Sequence, residues 1–161
     1  LLHCSNLSSH TSLCPIMNYT PCYENTMIQP AIETPIRKDA FANWLGASIE
    51  TIEPGSARAS LTVTEAMLNL HGMTHGGLVF ALGDIAFAAA SNSHGQTALA
   101  LNVTINFLRP TGVGDQLVAE AKEVQLGGAT ALYDILVTEQ NSQRLVAKSQ
   151  ATVYRKRENF V

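Results

Sequence analysis

One carboxylic acid stands out in the sequence because of its surroundings. Asp84 is the only charged residue in a run of apolar or small residues from Gly76 to Asn92. Burying an ionised carboxylate without a partner costs several kcal/mol or forces the group to bind a proton. Two interpretations are open at this point. Asp84 has a chemical role, or it is a structural acid paired with a neighbouring donor.

The residues just before this run carry groups suited to binding negative charge. His75 is followed by Gly76 and Gly77, where the apolar run predicts that a helix begins. A helix N-terminus offers unpaired N–H groups and the positive end of the helix dipole. Glycine lets another molecule approach this backbone without a Cβ in the way. The same glycines are also common as helix-start or packing residues.

The elements that must position these groups follow a simple order. Helical spacing predicts one short amphipathic helix from Ile36 to Leu45, and Pro54-Gly55 marks the turn of a hairpin. The run 76–93 predicts a helix enclosed on all sides, because apolar residues cover its whole circumference. Four further strands are predicted at 97–109, 116–125, 130–139 and 144–155. Antiparallel strands need an apolar cover, so we expect the sheet to curl around the helix.

Two of the strands alternate between apolar and polar residues, which predicts one buried and one polar face. In the second strand of the hairpin the apolar face consists of Ala57, Ala59, Leu61 and Val63. In the strand after the long helix it consists of Leu101, Val103, Ile105 and Phe107.

This order of elements resembles the hotdog fold, and the motifs resemble the phenylacetyl-CoA (PaaI-type) branch of hotdog acyl-CoA thioesterases. The resemblance covers about residues 36–155. Its motifs are "AMLNLHGMTHGGLVFALGDIAFAAASN", "NVTINFLRPTGVGD" and "LYDILVTEQNSQRLVAKSQATVYR". It implies an α+β fold in which an antiparallel β-sheet wraps around a long central helix, assembling as a dimer or tetramer.

The resemblance also implies a reaction, the hydrolysis of acyl-CoA thioesters to free acid and CoA at the subunit interface. The catalytic carboxylate falls on Asp84, the oxyanion-binding N–H on Gly76, and the amide that helps hold the carbonyl on Asn69. A water-positioning Ser or Thr of some relatives falls at about Ala100, which has no hydroxyl. Asp84 would act as general base or nucleophile. Two further residues are expected to bind substrate, His75 and Gly77.

The spacing of Gly76 and Asp84 indicates how many chains contribute to one site. Eight residues separate Gly76 from Asp84, which is roughly 12 Å along a helix at about 1.5 Å per residue. An Asp side chain is too short to span that distance back to its own helix N-terminus. If both groups act on one carbonyl, they come from two chains with antiparallel helices. We therefore predict an obligate dimer with two composite sites.

Three other functions are alternatives to hydrolysis of acyl-CoA. A non-catalytic acyl-CoA sensor on the same fold remains the alternative, although residues 1–35 show no helix-turn-helix pattern or basic surface. A serine esterase is excluded because no GxSxG motif is present. A hotdog dehydratase is disfavoured because it would use a His–acid pair in a different motif.

Charge and hydrophobicity indicate which classes of partner are not expected. The net charge is −3 and the longest Lys/Arg run is the three residues 155–157, so no nucleic-acid partner is expected. The longest apolar run, 78–90, is too short for a bilayer and contains Asp84, so no membrane partner is expected. All three cysteines lie in the first 22 residues. A cysteine-free body fits a reducing, cytoplasmic location.

We expect residues 1–27 to be a disordered leader or non-native extension, and residues 28–161 to form a single hotdog thioesterase domain. No metal site and no cofactor are expected. The cysteines lack CxxC spacing, and His71 and His75 lack a third ligand at a suggestive distance apart from Asp84. Asp115 is interpreted as a turn acid, and Asp134 is given no role. Candidates for contacting CoA phosphates are Arg109, Lys148, Arg155, Lys156 and Arg157.

Overall fold

The computed structural model describes residues 28–160. Two short helices come first, α1 (Pro30–Arg37) and α2 (Ala40–Leu45), followed by strands β1 (Ser48–Glu53) and β2 (Ser56–Thr62). A short 3₁₀ turn (Glu65–Met67) leads through a loop into the long helix α3 (Gly76–Asn92). The chain ends in β3 (Gln96–Phe107), β4 (Gln116–Leu126), β5 (Thr130–Glu139) and β6 (Arg144–Asn159).

The six strands form one antiparallel sheet in the order β1-β2-β4-β5-β6-β3. The hairpin predicted at Pro54-Gly55 is present, and Gly55 has the positive φ of +74° that such a turn requires. Helix α3 packs across one face of the sheet and contacts all six strands. This arrangement is the hotdog fold, and the predicted fold class is confirmed.

The core lies between α3 and the inner face of the sheet. The predicted inner face of β2 is confirmed, since all four of its apolar residues are buried. Gly83 lets α3 lie close to β5, where a Cβ would be 3.5 Å from Ile135. The rings of Phe87 and Tyr133 meet edge to face at 5.4 Å and are both buried. Gly83 therefore allows a close helix–sheet distance, and the two rings pack against each other within the core.

The prediction that α3 is enclosed on all sides is wrong in the single chain. Gly77, Phe80, Asp84 and Ala88 are exposed. These residues recur every three or four positions and so lie on one side of the helix. We call this side the exposed stripe. A helix that looks apolar all round in sequence thus keeps one side uncovered, and that side carries Asp84.

The single helix predicted over residues 36–45 is also wrong, because the chain forms α1 and α2 with a break at residues 38–39. The Asp39 side chain caps α2 by accepting the backbone N–H of Ala42 at 2.7 Å. Phe41 and Trp44 stack on each other with ring centroids 5.8 Å apart. Their exposed fractions are 51% and 78%, so they do not form the buried face that the pattern predicted.

Strand β3 lies at an edge of the sheet and is only partly covered. Pairing with β6 places Val103, Ile105 and Phe107 on the face that bears α3, as predicted. Leu101 departs from the prediction, because an irregularity between Ala100 and Asn102 breaks the register and leaves Leu101 61% exposed. Phe107 is also exposed. The outer edge of β3 therefore presents apolar side chains.

None of the helices in residues 28–160 is both long and apolar enough to cross a membrane.

Candidate active site

The loop that precedes α3 is organised by Asn69. Its side-chain oxygen accepts the backbone N–H of His71 at 2.8 Å and of Met73 at 3.2 Å. Its own backbone N–H donates to the Met73 carbonyl at 2.7 Å. The oxygen is thus fully engaged, which fixes the orientation of the amide. The side-chain NH₂ has no partner among residues 28–160 and is left as a donor.

His75 forms the N-cap of α3. Its Nδ1 accepts the backbone N–H of Gly77 at 2.9 Å, so a neutral ring carries its proton on Nε2. A Cβ on Gly77 would lie 2.9 Å from that same Nδ1. Glycine at this position therefore lets the imidazole reach the helix backbone, and His75 holds the first turn in place.

Gly76 is the first residue of α3 and its N–H makes no hydrogen bond within residues 28–160. The first hydrogen bond of the helix runs from the backbone N–H of Leu78 to the carbonyl of His75, at 2.9 Å. The Gly76 N–H is thus a free donor at the positive end of the helix dipole. The nearest atoms to a Cβ built on Gly76 are those of the Phe107 ring, at 3.5 Å.

Asn69 and Gly76 line the same cleft, which has a volume of about 290 Å³. We call it the polar cleft. Phe107 forms one wall, and Arg109 brings a positive charge to it. The Arg109 guanidinium donates to the carbonyl of Leu145 at 3.1 Å, which holds the side chain against β6. The structure therefore brings two of the three predicted catalytic residues together.

Asp84, the third predicted catalytic residue, does not line this cleft. It lies on the exposed stripe, and its carboxylate has no hydrogen bond or ion pair within the described part of the chain. Packed protein atoms desolvate the carboxyl and raise the pKa of Asp84, and the Asp39 carboxylate raises it further, although the residue keeps an exposed surface. The carboxyl is thus partly desolvated and has no partner among residues 28–160.

A second cavity, of about 520 Å³, lies between α2 and the N-terminal half of α3. We call it the apolar groove. Phe41 and Trp44 form one wall, Met67 and Leu68 contribute from the 3₁₀ turn and loop, and Ala81 lies on the α3 side. His75 and Gly77 also line it. Sequence reasoning missed the aromatic pair because it assigned both rings to the core.

Three other residues named in the sequence analysis make structural hydrogen bonds. Asp115 accepts the backbone N–H of Gly112 at 2.9 Å, which confirms a turn acid. Asp134 accepts from Gln150 across β5 and β6 at 3.1 Å. Arg155 donates to the Gly127 carbonyl at 2.7 Å.

No group of three potential metal ligands occurs within residues 28–160, so His71 and His75 gain no third ligand there. Cys4, Cys14 and Cys22 lie outside the described residues, as does the expected leader of residues 1–27.

Comparisons with known proteins agree with the fold described above. Residues 71–146 match the model of the thioesterase superfamily. The chain is 46% identical to the acyl-coenzyme A thioesterase PaaI of Escherichia coli (strain K12) over 109 residues, covering 68% of this chain and 77% of that protein. The structure of E. coli PaaI, from the phenylacetic acid degradation operon, superposes with a TM-score of 0.76 at 40% identity and covers 79% of this chain and 91% of that one.

A Streptococcus mutans UA159 structure bound to acetyl CoA is also similar, with a TM-score of 0.65 and 31% identity over 68% of this chain and 88% of that one. The chain therefore belongs to the thioesterase superfamily and is a hotdog-fold enzyme of its PaaI-type acyl-CoA thioesterase branch.

Proposed function

We propose that the protein hydrolyses acyl-CoA thioesters to a free acid and CoA at composite sites between two copies of the chain. The observation that carries this proposal is the division of the site. Two free donors, the Gly76 N–H and the Asn69 amide, share the polar cleft, whereas Asp84 lies on the exposed stripe with no partner in the described part of the chain. The acetyl CoA bound to the similar S. mutans protein supports the substrate class.

In the proposed reaction, the thioester carbonyl oxygen accepts hydrogen bonds from the Gly76 N–H and the Asn69 NH₂. Negative charge that develops on this oxygen is stabilised by the two donors and the helix dipole. Asp84 takes a proton from water as the water oxygen attacks the carbonyl carbon. The carbon–sulfur bond then breaks, the sulfur leaves as CoA thiolate, and it is protonated to the thiol.

Direct attack by the Asp84 carboxylate is the second route with the same residues. It would form a mixed anhydride and release CoA, and water would then cleave the anhydride to the acid. The raised pKa of Asp84 marks a more basic carboxylate, which serves either route. Ala100 offers no hydroxyl to position the water in either case.

The composite site requires a dimer, and two uncovered surfaces support one. Gly76 and Asp84 stand eight residues apart on one helix, or about 12 Å along its axis. Antiparallel packing of two copies of α3 along their exposed stripes would bring Asp84 of one chain near Gly76 of the other. The apolar edge strand β3 offers a second contact, because a long unpaired edge is a template for pairing with another chain. Such dimers could pair further into a tetramer.

His75 and Gly77 support the site through the backbone in this proposal. The Nδ1 contact to Gly77 holds the first turn of α3, and so it orients the neighbouring Gly76 N–H toward the polar cleft. Both residues also line the apolar groove, where they would contact substrate. We also propose a cytoplasmic location, supported by the absence of cysteine after residue 22.

The experiment is an acyl-CoA panel, from acetyl to long-chain and aryl-acetyl, followed by release of free thiol. Asp84→Asn keeps the shape of the side chain and removes the base. We expect this variant to remain folded and dimeric and to lose at least about 10²-fold in rate. Sedimentation of both proteins is the control for assembly. If both proteins bind an acyl-CoA tightly and neither hydrolyses any, the protein is an acyl-CoA sensor and the proposal is wrong.

A further inference from the structure

Two loops line the polar cleft, and the reaction proposed above uses groups from both. The loop of residues 68–75 carries Asn69 and leads directly into the Gly76 N–H. The loop of residues 108–115 joins β3 to β4 and carries Arg109. The distance between the loops therefore affects how a bound thioester meets its two donors.

Thr74 and Thr111 join these loops. The backbone N–H of Thr74 donates to the carbonyl of Thr111 at 2.9 Å, and the hydroxyl of Thr111 donates to the hydroxyl oxygen of Thr74 at 2.8 Å. Within residues 28–160 no other hydrogen bond runs between the two loops. Both residues are buried, with 7% of each exposed. A buried hydroxyl without a partner is costly, so each side chain favours contact with the other.

The loop of residues 108–115 is fixed to the sheet near both of its ends. The backbone N–H of Leu108 donates to the carbonyl of Val146 in β6 at 2.8 Å, and that of Gly114 donates to the carbonyl of Val63 at 2.9 Å. The two threonines, which we call the threonine pair, therefore tie the loop before α3 to a loop that the sheet already holds in place.

We propose that the threonine pair sets the width of the polar cleft, and that Thr74 and Thr111 are positioning residues for the hydrolysis. This inference rests on the proposed function. The two residues act through the loops that they join, by holding the Asn69 amide and the Gly76 N–H at a fixed distance from the Arg109 side of the cleft. Neither hydroxyl is assigned a contact with the reacting carbonyl.

The short contact between the hydroxyl oxygens gives the size of the effect. Valine has nearly the shape of threonine, with a methyl group in place of the hydroxyl. Two carbon atoms pack best at about 3.5–4.0 Å, whereas the two oxygens lie 2.8 Å apart. Valine at both positions should therefore push the loops apart by about 1 Å. A misplacement of about 1 Å can lower the rate of a positioned reaction by about 10²-fold.

Two variants of the pair should show opposite effects on stability and catalysis. The double variant Thr74→Val with Thr111→Val leaves no hydroxyl unpaired, so Tm should stay near that of the wild type. Its kcat should fall by about 10²-fold, with a smaller change in KM, because the displaced donors act mainly on the oxyanion. Thr111→Ser keeps the hydroxyl and loses a buried methyl group. Its Tm should fall while kcat stays within about threefold of the wild type.

Ser93→Ala is the matched control for the loss of a buried hydroxyl. Ser93 follows the C-terminal end of α3 and accepts the backbone N–H of Gly55 at 2.7 Å, outside the polar cleft. Its Tm should fall with kcat unchanged at a temperature well below unfolding. The assay is steady-state release of CoA thiol, with thermal unfolding recorded for the same samples.

Hydrogen exchange at the amide of residue 74 tests the pair without turnover. This N–H donates to the carbonyl of Thr111, so it should exchange about 10-fold faster in the double valine variant and at the wild-type rate in Thr111→Ser. Unchanged exchange in the double variant would overturn the inference.

The kinetic results separate this inference from the proposed function. A double valine variant with the wild-type kcat would refute the positioning role and leave the thioesterase proposal intact. The same conclusion would follow if kcat fell as far in Thr111→Ser or Ser93→Ala as in the double variant, because catalysis would then follow stability. A wild-type protein that hydrolyses no acyl-CoA would refute the proposed function and with it the positioning role, while exchange at residue 74 would still decide whether the pair holds the loops together.

Discussion

Replacing Gly76 by proline removes the one backbone donor that the proposed mechanism requires at the oxyanion. The structure indicates that the helix would tolerate this change. Gly76 is the first residue of α3, a position where proline is common because its N–H has no partner within the helix. His75 has φ −65° and ψ 132°, which is the conformation that a residue preceding proline prefers. The fold should therefore survive the loss of the donor.

The expected effect on catalysis is large because the lost group interacts with charge that develops in the transition state. Removing one oxyanion donor typically lowers kcat by about 10²–10³, or roughly 2.7–4 kcal/mol. KM for the substrate should change less than kcat, since the ground-state carbonyl is bound more weakly than the oxyanion. The assay is steady-state release of CoA thiol, with thermal unfolding recorded for the same samples.

Gly76→Ala is the matched control, because it adds a Cβ and keeps the N–H. That Cβ would lie 3.5 Å from the Phe107 ring, an ordinary contact distance. The ratio of kcat between the alanine and proline variants therefore isolates the contribution of the N–H. A folded proline variant whose kcat lies within about threefold of the alanine variant would refute the oxyanion assignment.

Four further predictions follow from individual contacts. Burial and the Asp39 carboxylate raise the pKa of Asp84, so kcat/KM should rise with pH as Asp84 loses its proton. Asp39→Asn keeps the helix cap and removes the neighbouring charge, so it should move the midpoint of the pH profile to lower pH. The same raised pKa means that the protonated Asp84 carboxyl favours the folded state, a contribution lost as pH rises through the folded-state pKa. Asp84→Asn should thus raise Tm at pH 7 more than at a pH below the unfolded-state pKa of Asp84. Asn69→Asp keeps the oxygen that holds the loop but removes the NH₂ donor, so kcat should fall about 10²-fold with little change in Tm. A large fall in Tm would assign Asn69 a purely structural role. Phe87→Ala should lower the free energy of unfolding by about 3–5 kcal/mol, measured by urea denaturation, because it empties the space against Tyr133; a loss below about 1 kcal/mol would contradict that packing.

The parts of the fold that local pattern determines were predictable. Strand β5 has the predicted bounds, Thr130–Glu139, and α3 begins at Gly76 as expected. Both follow from periodicity together with glycine and turn residues at the ends. Helix α2 was missed as a separate element because Phe41 and Trp44 continue the spacing of Ile36. The local signal for its start was Asp39, a residue type favoured at N-caps.

The candidate site was only partly accessible to sequence reasoning, for a physical reason. Asp84 could be identified because a lone charge interrupts an apolar pattern, whereas the role of Gly76 came from the family resemblance. The aromatic wall of the apolar groove could not be identified, because exposed and buried aromatic residues look alike in a single sequence. Whether Trp44 packs inward depends on where α2 lies relative to α3, which is set by contacts distant in sequence.

The central claim is that each site combines groups from two chains, and mixing two inactive variants tests it most directly. Gly76→Pro and Asp84→Asn are purified separately, combined at equal amounts, and allowed to exchange subunits. In a mixed dimer, the Gly76 N–H of one chain faces Asp84 of the other, which restores one of the two sites. Random mixing makes half of the dimers mixed, so activity should recover to about a quarter of the wild-type value. If both groups act within one chain, exchange shown by mass spectrometry will leave activity at the mean of the two variants, and the composite site is contradicted.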